Sequence, residues 1–198
     1  GGAKEMQLGK EHLADLSDQP WVSHLLPGTG DGMTDTDGKL YGMPMNMEGY
    51  GYLYNKDLFA DAGITELPTT LTELQAAAQK LQDAGITPFA NGFAEWWIIG
   101  SHFTNVAFGQ QEDPAGFINQ LNDGSATIDS NPIFQQFQNL MDTTMKYGNE
   151  NPLTTDYNTQ VTLFASGKTA MLQQGNWVES MIADISPDLN VGILPMPI

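Results

Sequence analysis

The sequence predicts an α/β fold, because short apolar segments of strand length alternate with helical segments along the whole chain. Residues 71–84 carry apolar side chains at helical spacing, and the short apolar run 87–90 that follows is typical of a buried strand. The same alternation recurs up to the apolar run 191–194. We therefore expect one sheet with helices packed against it.

The first 62 residues predict one short helix and a loop before the first strands. The turn Asp37-Gly38 leads into the first strand, and Gly63 ends the helical turn that follows the second. The elements expected here are, in order, a helix over 4–16, a loop over 17–38, strands over 40–45 and 50–54, and a helical turn over 57–62.

The rest of the chain contains the strongest helix signal. Thr70 is suited to the N-cap, Glu73 completes a capping box three residues later, and Gly85 ends the helix over 71–84. The remaining elements expected are a strand over 87–90, an apolar buried helix over 96–108, helices over 114–121, 132–147 and 157–166, a strand over 170–173, a helix over 178–185 and a strand over 191–194.

The composition excludes several classes of partner. Twenty-four acidic residues against seven basic ones give a net charge of −17, which repels nucleic acid and anionic membrane surfaces. The absence of cysteine excludes disulfides and thiolate metal sites. No apolar run approaches the roughly 18 residues that a membrane span requires. The partner is expected to be neutral or cationic.

The residue patterns of catalytic and metal sites are missing from the sequence. His12, His24 and His102 are far apart and share no ligand spacing, so neither a metal nor a cofactor is expected, and each is interpreted as an ordinary surface or packed histidine. No Gly-x-Ser-x-Gly nucleophile motif is present. One enzyme hypothesis stays open, a glycoside hydrolase with Glu48 and Glu95 as its two carboxylates.

Five segments, in this order, carry a resemblance to a known family. They are Asp37–Pro44, Tyr52–Phe59, Phe164–Met171, Gly175–Trp177 and Val191–Pro197. Together they resemble the family 1 extracellular solute-binding proteins, the maltose-binding-protein-like carbohydrate-binding components of ABC transporters. The resemblance implies the second lobe of a type II periplasmic-binding-protein-like fold, a three-layer α/β domain with helices flanking the sheet.

The resemblance also implies a domain organisation, because family members run to about twice this length in two lobes. We expect residues 1–43 to be a remnant of the first lobe and the approach to the hinge, 44–193 to be the second lobe, and 194–198 to be a truncated second hinge crossing. An isolated lobe exposes strand edges and apolar surface, which favours a homodimer or strand exchange.

A sugar has hydroxyl groups at its rim and apolar C–H faces, so its site needs aromatic platforms and hydrogen-bonding amides or carboxylates. Such side chains follow the predicted strands, where α/β sheets bind ligands. One of the adjacent residues Trp96 and Trp97 is expected to be a platform, with Trp96 preferred, and Tyr50 and Trp21 are lesser candidates. The expected ligand-binding residues are Glu48, Tyr50, Asn91, Glu95, Trp96, Trp97, Gln174, Asn176 and Trp177.

The function implied by the resemblance is capture of a sugar or oligosaccharide by lobe closure, without chemistry. The captured ligand would be delivered to the membrane subunits of an ABC transporter. The expected location is the extracellular face of the membrane, as a lipoprotein, or the periplasm, with the signal sequence outside this chain. A binding protein for a non-sugar ligand, such as a polyamine or a peptide, is the alternative beside the hydrolase.

Overall fold

The computed structural model describes residues 3–198, which form two compact units that divide between Glu48 and Gly49. The smaller unit contains helix α1 (Ala3–Gly9) and three 3₁₀ turns, and its backbone is bridged between Thr34 and Leu40. The larger unit contains the sheet and its helices. The domain boundaries expected from the resemblance stay a prediction.

Ion pairs stabilise the loops of the smaller unit. The Lys10 ammonium contacts the carboxylates of Asp35 and Asp37, the second at 2.7 Å. The Tyr41 hydroxyl donates to Asp37 Oδ2 at 2.9 Å, which ties the loop to the residues that follow it. These partners hold the pKa of Asp37 at about 2, chiefly through the hydrogen bond from Lys10.

Two predictions for the smaller unit are wrong. The helix expected over 4–16 is α-helical only to Gly9, because Leu13 is extended and the Leu16 N–H donates to the Leu40 carbonyl instead. The strand expected over 40–45 does not form beyond the single bridge at Leu40. Its proline, Pro44, has no N–H for a ladder, which removes a donor that a strand interior needs.

The larger unit is built on a four-stranded mixed sheet. Its strands are β1 (Tyr50–Asn55), β2 (Thr87–Ala90), β3 (Thr169–Gly175) and β4 (Val191–Leu194), in the order β2-β3-β1-β4. β2 runs parallel to β3, whereas β1 runs antiparallel to β3 and β4. The carboxyl ends of β2, β3 and β4 therefore meet the start of β1 at one edge.

Both faces of this sheet are covered, which confirms the three-layer α/β prediction. Alternate residues face opposite sides: Tyr52 and Met171 pack into one core, and Leu53 and Leu172 into the other. The helices of this unit are α2 (Lys56–Asp61), α3 (Leu71–Asp83), α4 (Thr104–Gly109), α5 (Pro114–Asp123), α6 (Pro132–Lys146), α7 (Tyr157–Ala165) and α8 (Glu179–Ile185). Helices α7 and α8 cover the second face, and α2, α3 and α6 the first.

The helix expected over 96–108 forms, but it is not a regular α-helix. It begins at Trp96, continues as a π-helix over Ile98–Phe103 and ends as α4. It is also not buried all round, since Trp96 and Asn105 are exposed while Ile98 and Phe103 are fully buried. The largely apolar sequence of this segment predicted neither the π-helix nor the exposed residues.

Candidate functional site

Five aromatic side chains form a continuous set near the edge where the strand ends meet. The centroid of the His102 imidazole lies 5.3 Å from that of the Tyr50 ring, and the two rings are stacked with 18° between their planes. The imidazole centroid also lies 5.0 Å from the ring centroids of both Trp97 and Trp177. Trp97 in turn contacts Tyr157 at 5.5 Å. We call these five residues the ring group. It contains three of the predicted site residues, and His102 joins them.

The π-helical segment explains why Trp97 and His102 meet. Residues five apart in a regular α-helix point about 140° away from each other. A π-helix bonds residue i to i+5, and here the Thr104 N–H donates to the Ile99 carbonyl in that pattern. Residues five apart are therefore brought to one side, and the two rings of this pair touch edge to face.

A buried amide network lies behind the ring group. The indole Nε1 of Trp177 donates to Gln174 Oε1 at 2.9 Å, and Gln174 Nε2 donates to Gln160 Oε1 at 2.8 Å. Gln160 Nε2 donates to the Ala90 carbonyl at 2.9 Å. Gln174 and Gln160 are fully buried, so their amides orient Trp177 and join the ends of β2 and β3.

Asn176 and Gly175 fix the chain on which Trp177 lies. Asn176 exchanges two hydrogen bonds with Gly49: its Oδ1 accepts from the Gly49 N–H at 3.0 Å, and its own N–H donates to the Gly49 carbonyl at 3.1 Å. A Cβ at Gly175 would collide with the Trp177 ring and with the Gly49 carbonyl oxygen. The absence of a side chain at Gly175 therefore allows the indole to lie close over the backbone.

The structure places Asn91 beneath the surface. It is buried, its Nδ2 donates to the Thr144 carbonyl at 2.8 Å, and its N–H donates to Asn149 Oδ1 at 2.6 Å. Asn149 Nδ2 returns a bond to the Asn91 carbonyl at 3.2 Å. Asn91 thus joins the end of β2 to the residues that follow α6.

The remaining predicted site residues are Trp96, Glu95 and Glu48. Trp96 is 77% exposed, whereas Glu95 is half-buried. Glu48 belongs to the smaller unit, where its Oε1 accepts from Asn46 Nδ2 at 2.9 Å. The role of each of these residues in binding stays a prediction.

Sequence reasoning missed two members of the ring group, His102 and Tyr157. His102 was expected to be an ordinary histidine, and the signal that it shares a face with Trp97 is their five-residue spacing, which favours contact only in a π-turn. Burial raises the pKa of Tyr157, and burial also raises the pKa of Tyr50 against an opposing hydrogen bond from Asn105. Both phenols therefore keep their protons at neutral pH and can donate to a hydroxyl.

Metal clusters and membrane-spanning helices are both absent from the described part of the chain. Within residues 3–198, no three histidine or carboxylate side chains are close enough to hold a metal ion together. Among those same residues, the helices are too short or too polar to cross a bilayer.

A mixed sheet covered on both faces, with aromatic and amide side chains gathered where its strands end, is the arrangement that α/β domains use to bind ligands. The family model for bacterial extracellular solute-binding proteins matches residues 4–198. The chain belongs to this family, as its sequence motifs predicted.

Comparisons with individual proteins agree with this assignment. The chain is 26% identical over 196 residues to the melibiose/raffinose/stachyose-binding protein MelE of Bacillus subtilis, a match that covers 94% of this chain and 45% of MelE. Its fold is similar to that of RafE in complex with raffinose, with a TM-score of 0.81 at 22% identity over 97% of this chain and 52% of that one. A chitin oligosaccharide binding protein is 28% identical with a TM-score of 0.73, over 98% of this chain and 50% of that one.

This chain therefore spans about half the length of the relatives that it matches. The similarity to RafE shows the type II periplasmic-binding-protein-like fold that the sequence predicted.

Proposed function

We propose that this chain is the sugar-binding part of an ABC-transporter solute-binding protein, which captures a sugar or oligosaccharide without chemistry. The ring group is the observation that carries the proposal. It offers aromatic faces to the apolar C–H face of a sugar, and amides and phenols stand beside it for the hydroxyl rim. The names of MelE and of the chitin oligosaccharide binding protein support a carbohydrate over a peptide or polyamine.

We assign the contact roles by exposure. Trp177 and Tyr50 are the platforms of the ring group, and the exposed Trp96 is a separate platform. Gln174 and Asn91 act from behind, because their amides already bond to protein groups. Glu95 and Asn176 supply polar groups for hydroxyls, and Glu48 in the smaller unit is a separate candidate for a sugar contact. The membrane subunits of a transporter are the partner, and the location is outside the cell membrane, as a lipoprotein or in the periplasm.

Calorimetric titration of sugars tests this function, on the 198-residue chain and on the complete product of its gene. Raffinose, maltotriose and a chitin oligosaccharide form one arm, and spermidine and a short peptide form the other. We expect a sugar to bind, and Trp177→Ala to weaken it by at least about 10-fold, as loss of an anchoring aromatic ring does. Leu153→Ala, a change at an exposed apolar residue, is the control.

Two outcomes would contradict the proposal. Binding of spermidine or of the peptide, with no response to any sugar, would show that the ligand is not a carbohydrate. Turnover of a chromogenic glycoside that Glu95→Gln abolishes would make the protein a hydrolase instead.

We also expect the isolated chain to self-associate. β4 is an edge strand of the sheet and its Ile193 is 56% exposed, whereas the outer side of β2 is bridged at Phe89 to Gly148. An exposed apolar edge favours pairing with a second copy. Light scattering of the 198-residue chain should show a dimer or an exchanged species, and a monomer at high protein concentration would contradict this expectation.

A further inference from the structure

His102 is the residue that the rings of the site have in common. Three of the four contacts within the ring group involve its imidazole, which touches Tyr50 on β1, Trp97 on its own helix and Trp177 after β3. The remaining contact joins Trp97 to Tyr157. Removing the imidazole would leave Tyr50 and Trp177 without the contacts that join them to the rest of the set.

The backbone at His102 is shaped for this contact. The residue lies in the π-helical segment Ile98–Phe103. The last residue of this segment, Phe103, is fully buried, and its ring contacts those of Tyr52 and Phe93. π-turns are uncommon and are found often at functional sites. This turn brings His102 to the side of Trp97, so the contact between their rings depends on the irregular backbone.

A buried glutamine orients the imidazole. His102 Nδ1 lies 3.3 Å from Gln173 Oε1, and Gln173 is 1% exposed on β3. Because an amide oxygen only accepts, a hydrogen bond in this pair requires the proton on Nδ1. The Nε2 of Gln173 is buried without a hydrogen-bond partner, which leaves the contact with His102 as the polar interaction of its amide.

We propose that His102 is the positioning residue that holds the ring group at the spacing a sugar needs, with its own ring oriented by Gln173. This inference rests on the proposed function and adds to it. His102 acts through its neighbours: its imidazole fixes the angle between the Tyr50 and Trp177 platforms, so that both can meet one sugar ring or two consecutive ones. The ligand class is a saccharide with an apolar pyranose face.

Three variants separate the ring of His102 from its hydrogen bond. His102→Phe keeps a ring without the polar atom, His102→Gln keeps a polar group without the ring, and Gln173→Met removes the acceptor at similar volume. His24→Gln, at an exposed histidine of the smaller unit, is the matched control. The readouts are near-ultraviolet circular dichroism of the free protein, and affinity for raffinose or for the sugar that binds most tightly in the panel above.

We expect His102→Gln to lose most of the tryptophan dichroism and to weaken sugar binding by about 10-fold or more. His102→Phe should keep the dichroism in part, with a smaller loss of affinity, because its ring stacks without a fixed orientation. Gln173→Met should likewise weaken binding less than His102→Gln. A folded His102→Gln variant with unchanged dichroism and unchanged affinity would overturn the proposal.

A nuclear magnetic resonance measurement tests the orientation of the His102 imidazole even if His102→Gln does not fold. In ¹⁵N-histidine-labelled wild-type protein, His102 should carry its proton on Nδ1, and Gln173→Met should change that signal alone among the three histidines. A proton confined to Nε2 would overturn the assigned orientation. If no sugar binds the wild type, the proposed function fails while the spectra still test His102; if sugar binds and His102→Gln has no effect, only the positioning role fails.

Discussion

At the residue scale, the position of Trp177 depends on a hydrogen-bond acceptor at Gln174 and on the absence of a side chain at Gly175. Gln174 accepts the indole N–H from below, and Gly175 leaves room for the ring above the backbone. The close approach of Trp177 and the Gly49 carbonyl to Gly175 leaves no space for even one methyl group. A tight backbone approach and one amide thus act together with the His102 contact to define the orientation of this half-buried ring.

Gly175→Ala should therefore displace Trp177. We expect a red shift of tryptophan emission and a loss of sugar affinity of about 10-fold, because the new methyl group and the indole cannot occupy the same space. Fluorescence and calorimetry on the folded variant measure both effects. Gly109→Ala is the control, since Gly109 ends α4 with open space around its Cα. Unchanged emission and affinity in Gly175→Ala would refute this account of the site.

The sequence predicted most of the ring group but not His102, which contacts three of its other members. Tyr50, Trp97 and Trp177 were predicted because aromatic residues near strand ends are typical of sugar sites, and the structure brings these three together through His102. His102 was not predicted because a segment that is apolar on nearly all sides favours a regular buried helix. The buried positions of Asn91 and Gln174 also could not be predicted, since an amide near a strand end has the same sequence signal whether it faces ligand or core.

At the element scale, helix ends are determined by short-range chemistry. The Thr70 hydroxyl accepts from the Glu73 N–H at 3.2 Å, and Glu73 Oε2 accepts from the backbone of Thr69 and Thr70 at 2.8 and 3.1 Å. These bonds, with that from the Thr69 backbone first, lower the pKa of the Glu73 carboxyl. The carboxylate also lies at the positive end of the helix dipole.

The stability contributed by Glu73 should depend on pH in a defined direction. Its pKa in the folded chain is below the unfolded value of 4.5, so the contribution is complete above pH 4.5 and is lost as the pH falls through the folded pKa. Glu73→Gln keeps the shape and removes the charge. Its melting temperature should be lower than that of the wild type at pH 7, and the difference should shrink at pH 3.

Thermal unfolding monitored by far-ultraviolet circular dichroism measures this difference. Glu66→Gln, at an exposed glutamate before α3, provides the comparison for a general loss of one charge. A difference for Glu73→Gln that stays constant from pH 7 to pH 3 would show that the charge has no part in the cap.

Elements with such local signals were predicted well, and elements without them were not. The capping box before α3 and the N-cap Asp156 before α7 each satisfy backbone donors within three residues, so the sequence window contains the whole interaction. The region 40–45 has alternating apolar residues but no partner strand, and Pro44 removes a donor. Strand formation needs a partner distant in sequence, which a local pattern does not report.

At the scale of the whole molecule, the dominant physical property is the net charge of −17 at pH 7. All seven basic residues are lysines, and Lys10 and Lys39 are engaged with Asp35, Asp37 and Asp15 in the smaller unit. The remaining carboxylates repel each other over distances that the solvent only partly screens. Such a surface keeps the chain away from anionic polymers and leaves a neutral sugar unaffected.

Salt should stabilise this chain, in contrast to a protein whose acidic and basic residues are similar in number. Raising NaCl from about 10 mM to about 0.3 M shortens the screening length from roughly 30 Å to roughly 6 Å, which weakens the repulsion among the acidic residues more than it weakens ion pairs at contact distance. We expect the melting temperature at pH 7 to rise by roughly 2–8 °C, the shift that one or two kcal/mol produces in a domain of this size. The same titration near the isoelectric point of about 4.1 is the control, because there the net charge is close to zero and the rise should disappear. A melting temperature that falls with salt at pH 7 would mean that local pairs such as Lys10 with Asp37 outweigh the repulsion across the molecule.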